Sequence, residues 1–421
     1  MWLQKLSLGY GHREGFLDLQ ENDGDYNDMD NKDDVIDKDW EDKSVPLLPA
    51  MKELRVTGRN MDDLYPPSWS RFLGRCDHLR ALLVSSIDQG WVQALAECRT
   101  LERLTLIKAK TGNLRLLTTA LRTGLPSLSA LCVTDNNSPD EEMAFVLSAC
   151  RAGWRSIELP IIGSRSVDAL IEHHCPTLEI LKVSRARDMS STQMIQILAS
   201  SPRLHTFVTF DEEVIPNPDV PHFVADDFID LDHSTGQLRP WLCESTLKEF
   251  RAYVTGIPRP DLNKTFHGHP LDKDMVMQES FPGQGPELQR LVYERLARFS
   301  RLERLQLGHD DRLISVMYML MYSDADIEGW DDESHQYNCL EMSLASGLRA
   351  LEGLKELKEL KVSRMATAVG IDDVQWMVQS WPRLKTLSGL NYSAEAEVQA
   401  ASWLKETCPS IALRMCQKRG K

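Results

Sequence analysis

Residues 101–106 read LERLTL, with leucines at the first, fourth and sixth positions. The same pattern, with other apolar residues at some of these positions, recurs at intervals of 22 to 28 residues between Met51 and Leu204. One such match means little in a leucine-containing sequence, but a series in near-constant register indicates a repeat architecture. The copies begin at Leu3, Met51, Leu79, Leu101, Leu128, Trp154, Leu178, Leu204, Leu247, Leu302, Leu357 and Leu384.

Each copy predicts a short β-strand, because its apolar residues alternate with polar or smaller ones. Leu104 and Leu106 share one side of such a strand, whereas Arg103, Thr105 and Ile107 share the other. Alternation with a period of two places the leucines in a core and the intervening residues on the opposite face of the sheet.

The segments between these strands carry apolar residues at the spacing of helices. Asn113, Ser138 and Ser191 precede or open three of them and are expected to act as N-caps. A strand and a helix in each unit are typical of a long, ribonuclease-inhibitor-like leucine-rich repeat. We therefore predict an α/β leucine-rich-repeat solenoid, with a curved parallel sheet on its concave side and helices on its convex side. The predicted helices span residues 91–98, 114–124, 140–153, 167–175 and 192–201, and a further one spans 339–354.

A doubly wound α/β domain is the alternative that also alternates strands and helices. Its buried strands read as near-continuous runs of valine and isoleucine, and its first strand-to-helix turn usually carries glycines. Here charged residues stand between the leucines, and such a turn is missing from the sequence. The pattern favours the solenoid.

Interruptions of the period divide the chain into five parts. Residues 21–43 carry 11 acidic residues against 3 lysines, which predicts a solvated loop. Longer insertions fall between the copies that begin at Leu204 and Leu357. The predicted parts are a first repeat strand (1–20), an acidic disordered insertion (21–45), regular repeats (46–210), irregular repeats with long insertions (211–356) and C-terminal repeats with a cap (357–421).

Composition excludes several classes of protein. The 421 residues include 48 Lys and Arg against 63 Asp and Glu, so the net charge of −15 disfavours nucleic acid as a partner. The uncharged run 313–323 has 11 residues, too few for a membrane span. Nine cysteines without a CxxC motif predict reduced thiols in a cytoplasmic or nuclear protein.

Motifs that could carry chemistry are weak. Asp23, Asp25 and Asn27 approach a calcium-binding loop, but Asp28 stands where that loop needs glycine. The sequence His173-His174-Cys175 has no second ligand pair at zinc-finger spacing. His267 and His309 are about 40 residues apart, and their spacing matches no metal-site motif. Phosphate-loop, dinucleotide, nucleophile-elbow and metalloprotease motifs are all missing from the sequence. We therefore expect a binding protein, not an enzyme, with no cofactor and no metal.

Segments of the C-terminal half resemble the leucine-rich region of fungal F-box proteins. These segments are LKEFRAYVTGIPRPDL (247–262), LERLQLGHDDR (302–312) and the stretch from LKELKV to LKTLSGLN (357–391). Members of that family are substrate receptors, in which the F-box docks on the Skp1 adaptor of a cullin-RING ubiquitin ligase and the repeats hold the target. The resemblance therefore implies recognition of a target protein for ubiquitination, as part of an SCF-type ligase.

The F-box itself does not fit into this sequence. That helical module usually lies near the N-terminus and opens with a Leu-Pro pair, but Leu48-Pro49 leads at once into the strand MKELRV. We expect Skp1 to be a partner only if an F-box exists upstream. A leucine-rich-repeat scaffold or regulator without a ubiquitin link is the alternative function. In both cases we expect a monomer that binds an unidentified protein, and the acidic net charge suggests basic peptides.

Candidate binding residues lie at the outward positions of the later strands. Buried aromatic residues and arginines dominate binding hot spots, and insertions in solenoids often shape the binding site. Two of these assignments have an equally good alternative. Phe210 is equally well predicted to pack beneath the insertion that follows it, and GHDDR (308–312) is equally well predicted to form an ordinary turn. The candidates are Phe210, Arg251, Tyr253, Arg304, Gln306, Asp310, Asp311 and Arg312.

Overall fold

The structure is a computed structural model of the chain. The predicted acidic insertion at 21–45 and the candidates Asp310, Asp311 and Arg312 lie outside the residues that it describes. The described residues are 5–10, 51–58, 72–87, 89–185, 189–210, 222–262, 265–266, 269–270, 276–308, 338–363, 365–390 and 395–414.

One parallel sheet of 13 strands runs through the described part of the chain. Its strands follow one another in chain order and every neighbouring pair is parallel, so the repeats stack in the order in which they occur in the sequence. The strands are β1 (Lys5–Tyr10), β2 (Glu53–Gly58), β3 (Ala81–Val84), β4 (Arg103–Ala109), β5 (Ala130–Asn136), β6 (Ser156–Ile161), β7 (Ile180–Arg185), β8 (Thr206–Val208), β12 (Glu249–Arg251), β16 (Arg304–Gln306), β17 (Glu359–Lys361), β18 (Thr386–Ser388) and β19 (Ala412–Arg414).

The six remaining strands form three separate two-stranded sheets within the irregular repeats. Strands β9 and β13 are parallel, whereas β10 pairs with β11 and β14 with β15 in antiparallel fashion. Their bounds are β9 (His222–Val224), β10 (Leu231–Asp232), β11 (Gln237–Leu238), β13 (Tyr253–Thr255), β14 (Thr265–Phe266) and β15 (His269–Pro270).

Nine α-helices lie between the strands of the described chain, and successive helices of the regular repeats contact one another. The five predicted helices between 91 and 201 are present, with ends that differ by a few residues. The predicted helix at 339–354 is wrong, because that segment contains only a 3-10 helix at Leu348–Gly353. The helices are α1 (Gln89–Ala96), α2 (Asn113–Thr123), α3 (Asp140–Ala149), α4 (Ser164–His173), α5 (Ser191–Ser200), α6 (Ala225–Ile229), α7 (Gln284–Ala297), α8 (Ile371–Ser380) and α9 (Glu395–Thr407).

The repeated leucines meet at equal register across the sheet. Leu104 of β4 lies opposite Leu82 of β3 and Leu131 of β5, and Leu104 is fully buried. One continuous apolar core extends in this way from Met51 to Ile411. In a doubly wound sheet the strand order reverses, whereas the strands of this main sheet follow the order of the chain. This order confirms the predicted leucine-rich-repeat solenoid.

Helix α4 is capped by a residue of the preceding repeat. The carboxylate of Asp140, in the first turn of α3, accepts hydrogen bonds from the backbone N–H groups of Gly163 at 2.9 Å and Arg165 at 3.0 Å. A Cβ atom at position 163 would stand 2.5 Å from this carboxylate, so the cap requires glycine there. The bonds satisfy helix-terminal donors that would otherwise lack an acceptor.

The predicted caps were displaced by one residue or replaced by such bonds between repeats. Asn113 lies inside α2, whose preceding Gly112 donates its N–H to Glu142 of α3 at 2.8 Å. Ser190, not Ser191, caps α5 and forms a capping box with Gln193. Ser138 does not cap α3, because Pro139 occupies the N-cap position.

A buried arginine joins three segments of the irregular repeats. The side chain of Arg259 is inaccessible to solvent and forms an ion pair with Glu341 at 2.5 Å and another with Asp261 at 2.7 Å. Its guanidinium also donates to the backbone carbonyl groups of Cys339 and Ala366. Segments 259–261, 339–341 and 366–368 are therefore held together by one side chain, and the buried Glu341 carboxylate would lose its ion pair without it.

We expect Asp140→Ala to lower the free energy of unfolding by about 0.5–2 kcal/mol, the usual loss for a removed N-cap. Urea denaturation of the full chain measures this change. Glu141→Ala is the matched control, since the neighbouring Glu141 forms only an exposed ion pair with Arg165 at 3.0 Å. Equal losses in both variants would show that the cap between the repeats contributes no stability of its own.

Candidate protein-binding surface

The sheet has a leucine face, which forms the core, and an opposite face, which we call the concave face. One register position crosses the whole concave face, and we call it the central row. It holds the residue that lies level with Thr105 on each strand. From β2 to β18 the central row is Arg55, Leu83, Thr105, Cys132, Glu158, Lys182, Val208, Arg251, Gln306, Lys361 and Ser388.

The concave face is open over strands β2 to β7. Arg55 is exposed, and the central-row residues from Leu83 to Lys182 are all partly accessible. The same holds for Ile107 and Pro160, two residues further along their strands. We call this surface the open face. Its mixture of small, apolar and charged side chains is suited to contact with another protein surface.

Cys132 lies in the middle of the open face. Burial of its thiol raises the pKa, and the nearby carboxylate of Glu158 acts in the same direction. The thiol therefore stays protonated at neutral pH and contributes a small apolar surface instead of a nucleophile.

Beyond β7 the central row is buried except at Arg251. Gln306, Lys361 and Ser388, on three adjacent strands, are at most 4% exposed. Within the described part of the chain, Gln306 Oε1 and Ser388 Oγ have no hydrogen-bond partner. These three polar residues of the later concave face are therefore inaccessible to a partner in this structure.

Arg251 and Arg304 share one buried carboxylate. Glu249 of β12 forms ion pairs with Arg251 at 2.6 Å and with Arg304 of the adjacent strand. Burial alone would raise the pKa of the Glu249 carboxyl, but the hydrogen bond from Arg304 and the charge of Arg251 outweigh it and lower the pKa below its ordinary value of 4.5. The arginine side chains remain 23% and 43% exposed, respectively, so a role in binding stays a prediction for both.

The structure corrects the placement of three other candidates. Phe210 is 1% exposed because its ring packs against Tyr253, with 4.9 Å between the ring centroids. Tyr253 belongs to β13, which pairs with β9 instead of the main sheet. Gln306 is 2% exposed. Its side-chain amide donates a hydrogen bond to the carbonyl of Gly308, and Arg251 and Lys361 lie beside it on the two adjacent strands. Phe210 and Gln306 are therefore not surface residues.

The sequence predicts the outward residues of the open face but does not identify them as the most accessible ones. Arg55, Leu83 and Thr105 are predicted to point outward. The candidate binding residues are nevertheless placed on the later strands, because long insertions lie between those strands. The relevant signal is the regular period of the repeats from Met51 to Leu204. On β3 to β7, whose repeats follow one another without long insertions, the central-row residues are accessible.

Other kinds of site were sought in the described part of the chain. No group of three or more His, Cys, Asp or Glu residues there could hold a metal ion. The eight cysteines it contains are free thiols. Among the helices described, none is long and apolar enough to cross a membrane.

Comparison with known proteins gives similarity to solved structures alone. No family model and no curated protein matches the sequence. Rad7, in its yeast complex with Elc1, is 14% identical with a TM-score of 0.44, over 86% of this chain and 80% of that chain. The leucine-rich-repeat protein LegL7 of Legionella pneumophila is 12% identical with a TM-score of 0.33, over 81% and 83%. An internalin of Listeria monocytogenes has the same identity and TM-score, over 80% of both chains.

We expect Phe210→Ala to destabilise the chain by about 3–5 kcal/mol, because it removes a buried aromatic ring and leaves a cavity beside Tyr253. Arg103→Ala, on the open face, is the control and should change stability by less than about 0.5 kcal/mol. Chemical denaturation of both variants measures the difference. A negligible loss for Phe210→Ala would return this residue to the accessible surface.

We expect the stabilisation that Glu249 provides to depend on pH. A carboxylate with a lowered pKa in the folded state contributes its full stabilisation above its unfolded value, and the contribution is lost as the pH falls through the folded value. The difference in unfolding free energy between wild type and Glu249→Gln should therefore shrink as the pH falls from about 5 to about 3. Urea denaturation at several pH values tests this.

Glu102→Gln serves as the control for the pH series. Glu102 pairs with Arg80 at 3.6 Å on the surface, where both side chains are more than half exposed. Exposed pairs contribute little to stability, so this variant should follow wild type at every pH. A constant difference between wild type and Glu249→Gln across the series would contradict the assigned role of the Arg251 and Arg304 charges.

Proposed function

We propose that this chain is a protein-recognition module whose open face binds a target, and that it acts as the substrate-receptor part of an SCF-type ubiquitin ligase. The observation that supports recognition is the accessibility of the central row from Arg55 to Lys182, next to a continuous core that holds it rigid. A surface on rigid strands loses little conformational entropy when a partner binds.

The ubiquitin-ligase part of the proposal has a different support. It follows from the resemblance of segments 247–262, 302–312 and 357–391 to the leucine-rich region of fungal F-box proteins. In such a ligase the repeats hold the target, and Skp1 contacts the F-box. Mutations on the open face would then release the target and leave the adaptor bound.

We expect Thr105→Trp to abolish target binding, because it places a bulky ring at the centre of the open face. The full-length protein, tagged in its own cells, is purified and its partners are quantified by mass spectrometry. Thr119→Trp is the matched control, since Thr119 is exposed on helix α2, outside the sheet. Partners lost from the first variant and retained by the second are targets of the open face.

The same experiment separates the two candidate functions. Skp1 and a cullin should accompany wild type and both tryptophan variants if the ligase proposal holds, and the lost partners should accumulate in cells that carry Thr105→Trp. Targets without Skp1 would support a scaffold. Identical partner sets for the two variants, with both proteins folded, would remove the open face from recognition altogether.

A further inference from the structure

Several charges on or beside the open face are paired between adjacent repeats. Arg80 pairs with Glu102 at 3.6 Å, and Arg155 pairs with Glu179 at 2.9 Å, in both cases at the residue just before a strand. In the central row, Lys182 of β7 pairs with Glu158 of β6 at 3.4 Å. In these three pairs a neighbouring carboxylate already neutralises part of the positive charge of the arginine or lysine.

Arg55 and Arg103 are the exception. Both are exposed on the concave face, on β2 and β4, and among the described residues neither has a carboxylate within 4.0 Å. Arg103 lies level with Ala81, and Arg55 lies level with Leu83, so the two arginines are offset by two strand spacings and by two residues along the strands, or about 12 Å. The intervening strand β3 presents Ala81 and Leu83 and therefore carries no charge on this face.

The remaining charges near these arginines do not cancel the positive surplus. Glu53, on the same strand as Arg55 and level with Arg103, is a single partly accessible carboxylate with an interaction of its own, against two arginines. Asp135 lies level with the exposed Lys108 on the adjacent strand, so these two opposite charges balance at the far end of β4 and β5. Lys52 adds another exposed positive charge just before β2.

We propose that the open face binds an extended acidic segment of the partner protein. Two carboxylates about 12 Å apart would occupy Arg55 and Arg103, and an apolar side chain between them would rest on Leu83. The inference rests on the proposed function, since it specifies the chemistry of the target at the same surface.

Guanidinium groups suit this role better than other cations. Their planar set of donors matches a carboxylate with two parallel hydrogen bonds, and they are less strongly hydrated than an ammonium group. Leu83 supplies the apolar contact that a purely electrostatic site would lack, so a segment of acidic residues around a leucine or phenylalanine fits the surface. A basic segment would face two unneutralised positive charges.

Fluorescence anisotropy with synthetic probes tests the proposal on the full chain. The acidic probe is a labelled peptide with glutamates on both sides of Leu-Phe, and two further probes carry lysine or glutamine in place of every glutamate. We expect the acidic probe to bind and the lysine probe not to bind. The affinity for the acidic probe should fall as NaCl rises from about 50 to about 300 mM, because exposed charges are screened.

The double variant Arg55→Gln/Arg103→Gln should bind the acidic probe at least about tenfold more weakly, as expected for two charge-assisted contacts. Arg122→Gln/Arg203→Gln is the matched control, because it removes two exposed arginines outside the concave face. Its affinity should stay within about twofold of wild type. Arg55→Lys/Arg103→Lys keeps the charge and should bind with intermediate affinity, and circular dichroism verifies that every variant is folded.

Three results would overturn the inference. They are equal loss in the control and the double variant, stronger binding of the lysine probe, and no binding of the acidic probe at concentrations up to about 1 mM. The proposed function fails on a different result, namely partners that are indifferent to Thr105→Trp. Partners released by Thr105→Trp from a chain that ignores the acidic probe would keep the recognition function and exclude acidic targets.

Discussion

Each repeat of this solenoid buries its leucines against the repeats on both sides of it. Leu104 is covered because Leu82 and Leu131 stand level with it on the adjacent strands, and the same relation continues to the end of the core at Ile411. A single strand and helix cannot bury both of their faces, so stability comes from stacking. The sheet must therefore remain continuous wherever the sequence of the repeats changes.

The irregular repeats satisfy this constraint by placing their extra residues outside the main sheet. Strands β8, β12, β16 and β17 pair directly, although 43 to 55 residues separate their first residues. The additional segments are held by buried arginines as well as by apolar contacts. Arg295 of α7 is fully buried against Trp241, pairs with Glu244 at 2.9 Å and donates to the carbonyl of Ile229 at 2.7 Å. Such side chains reach several backbone segments at once.

The net charge of the chain does not describe the charge of each of its surfaces. The chain carries −15, which suggested basic partners, but residues 21–43 alone hold 11 acidic residues against 3 lysines. At physiological ionic strength charges more than about 8 Å apart are largely screened from one another. In the proposed complex, the acidic segment would therefore respond to Arg55 and Arg103 more than to the sum over the chain.

The alternation of leucines and the period of the repeats are local patterns, and each unit folds in the same way. They sufficed to predict the solenoid, the regular helices and twelve of the 13 strands of the main sheet, although the last strand, β19, was not predicted. Accessibility is not local. Thr105 and Gln306 occupy the same register position and both were predicted to point outward, yet Thr105 is partly accessible and Gln306 is buried. The same is true of Phe210, whose burial depends on Tyr253, 43 positions away in the sequence. Helix caps that come from a neighbouring repeat, such as Asp140 on α4, also escape a reading of adjacent residues. Only the stacked structure brings these partners within contact distance, so only the structure decides which part of the concave face is open.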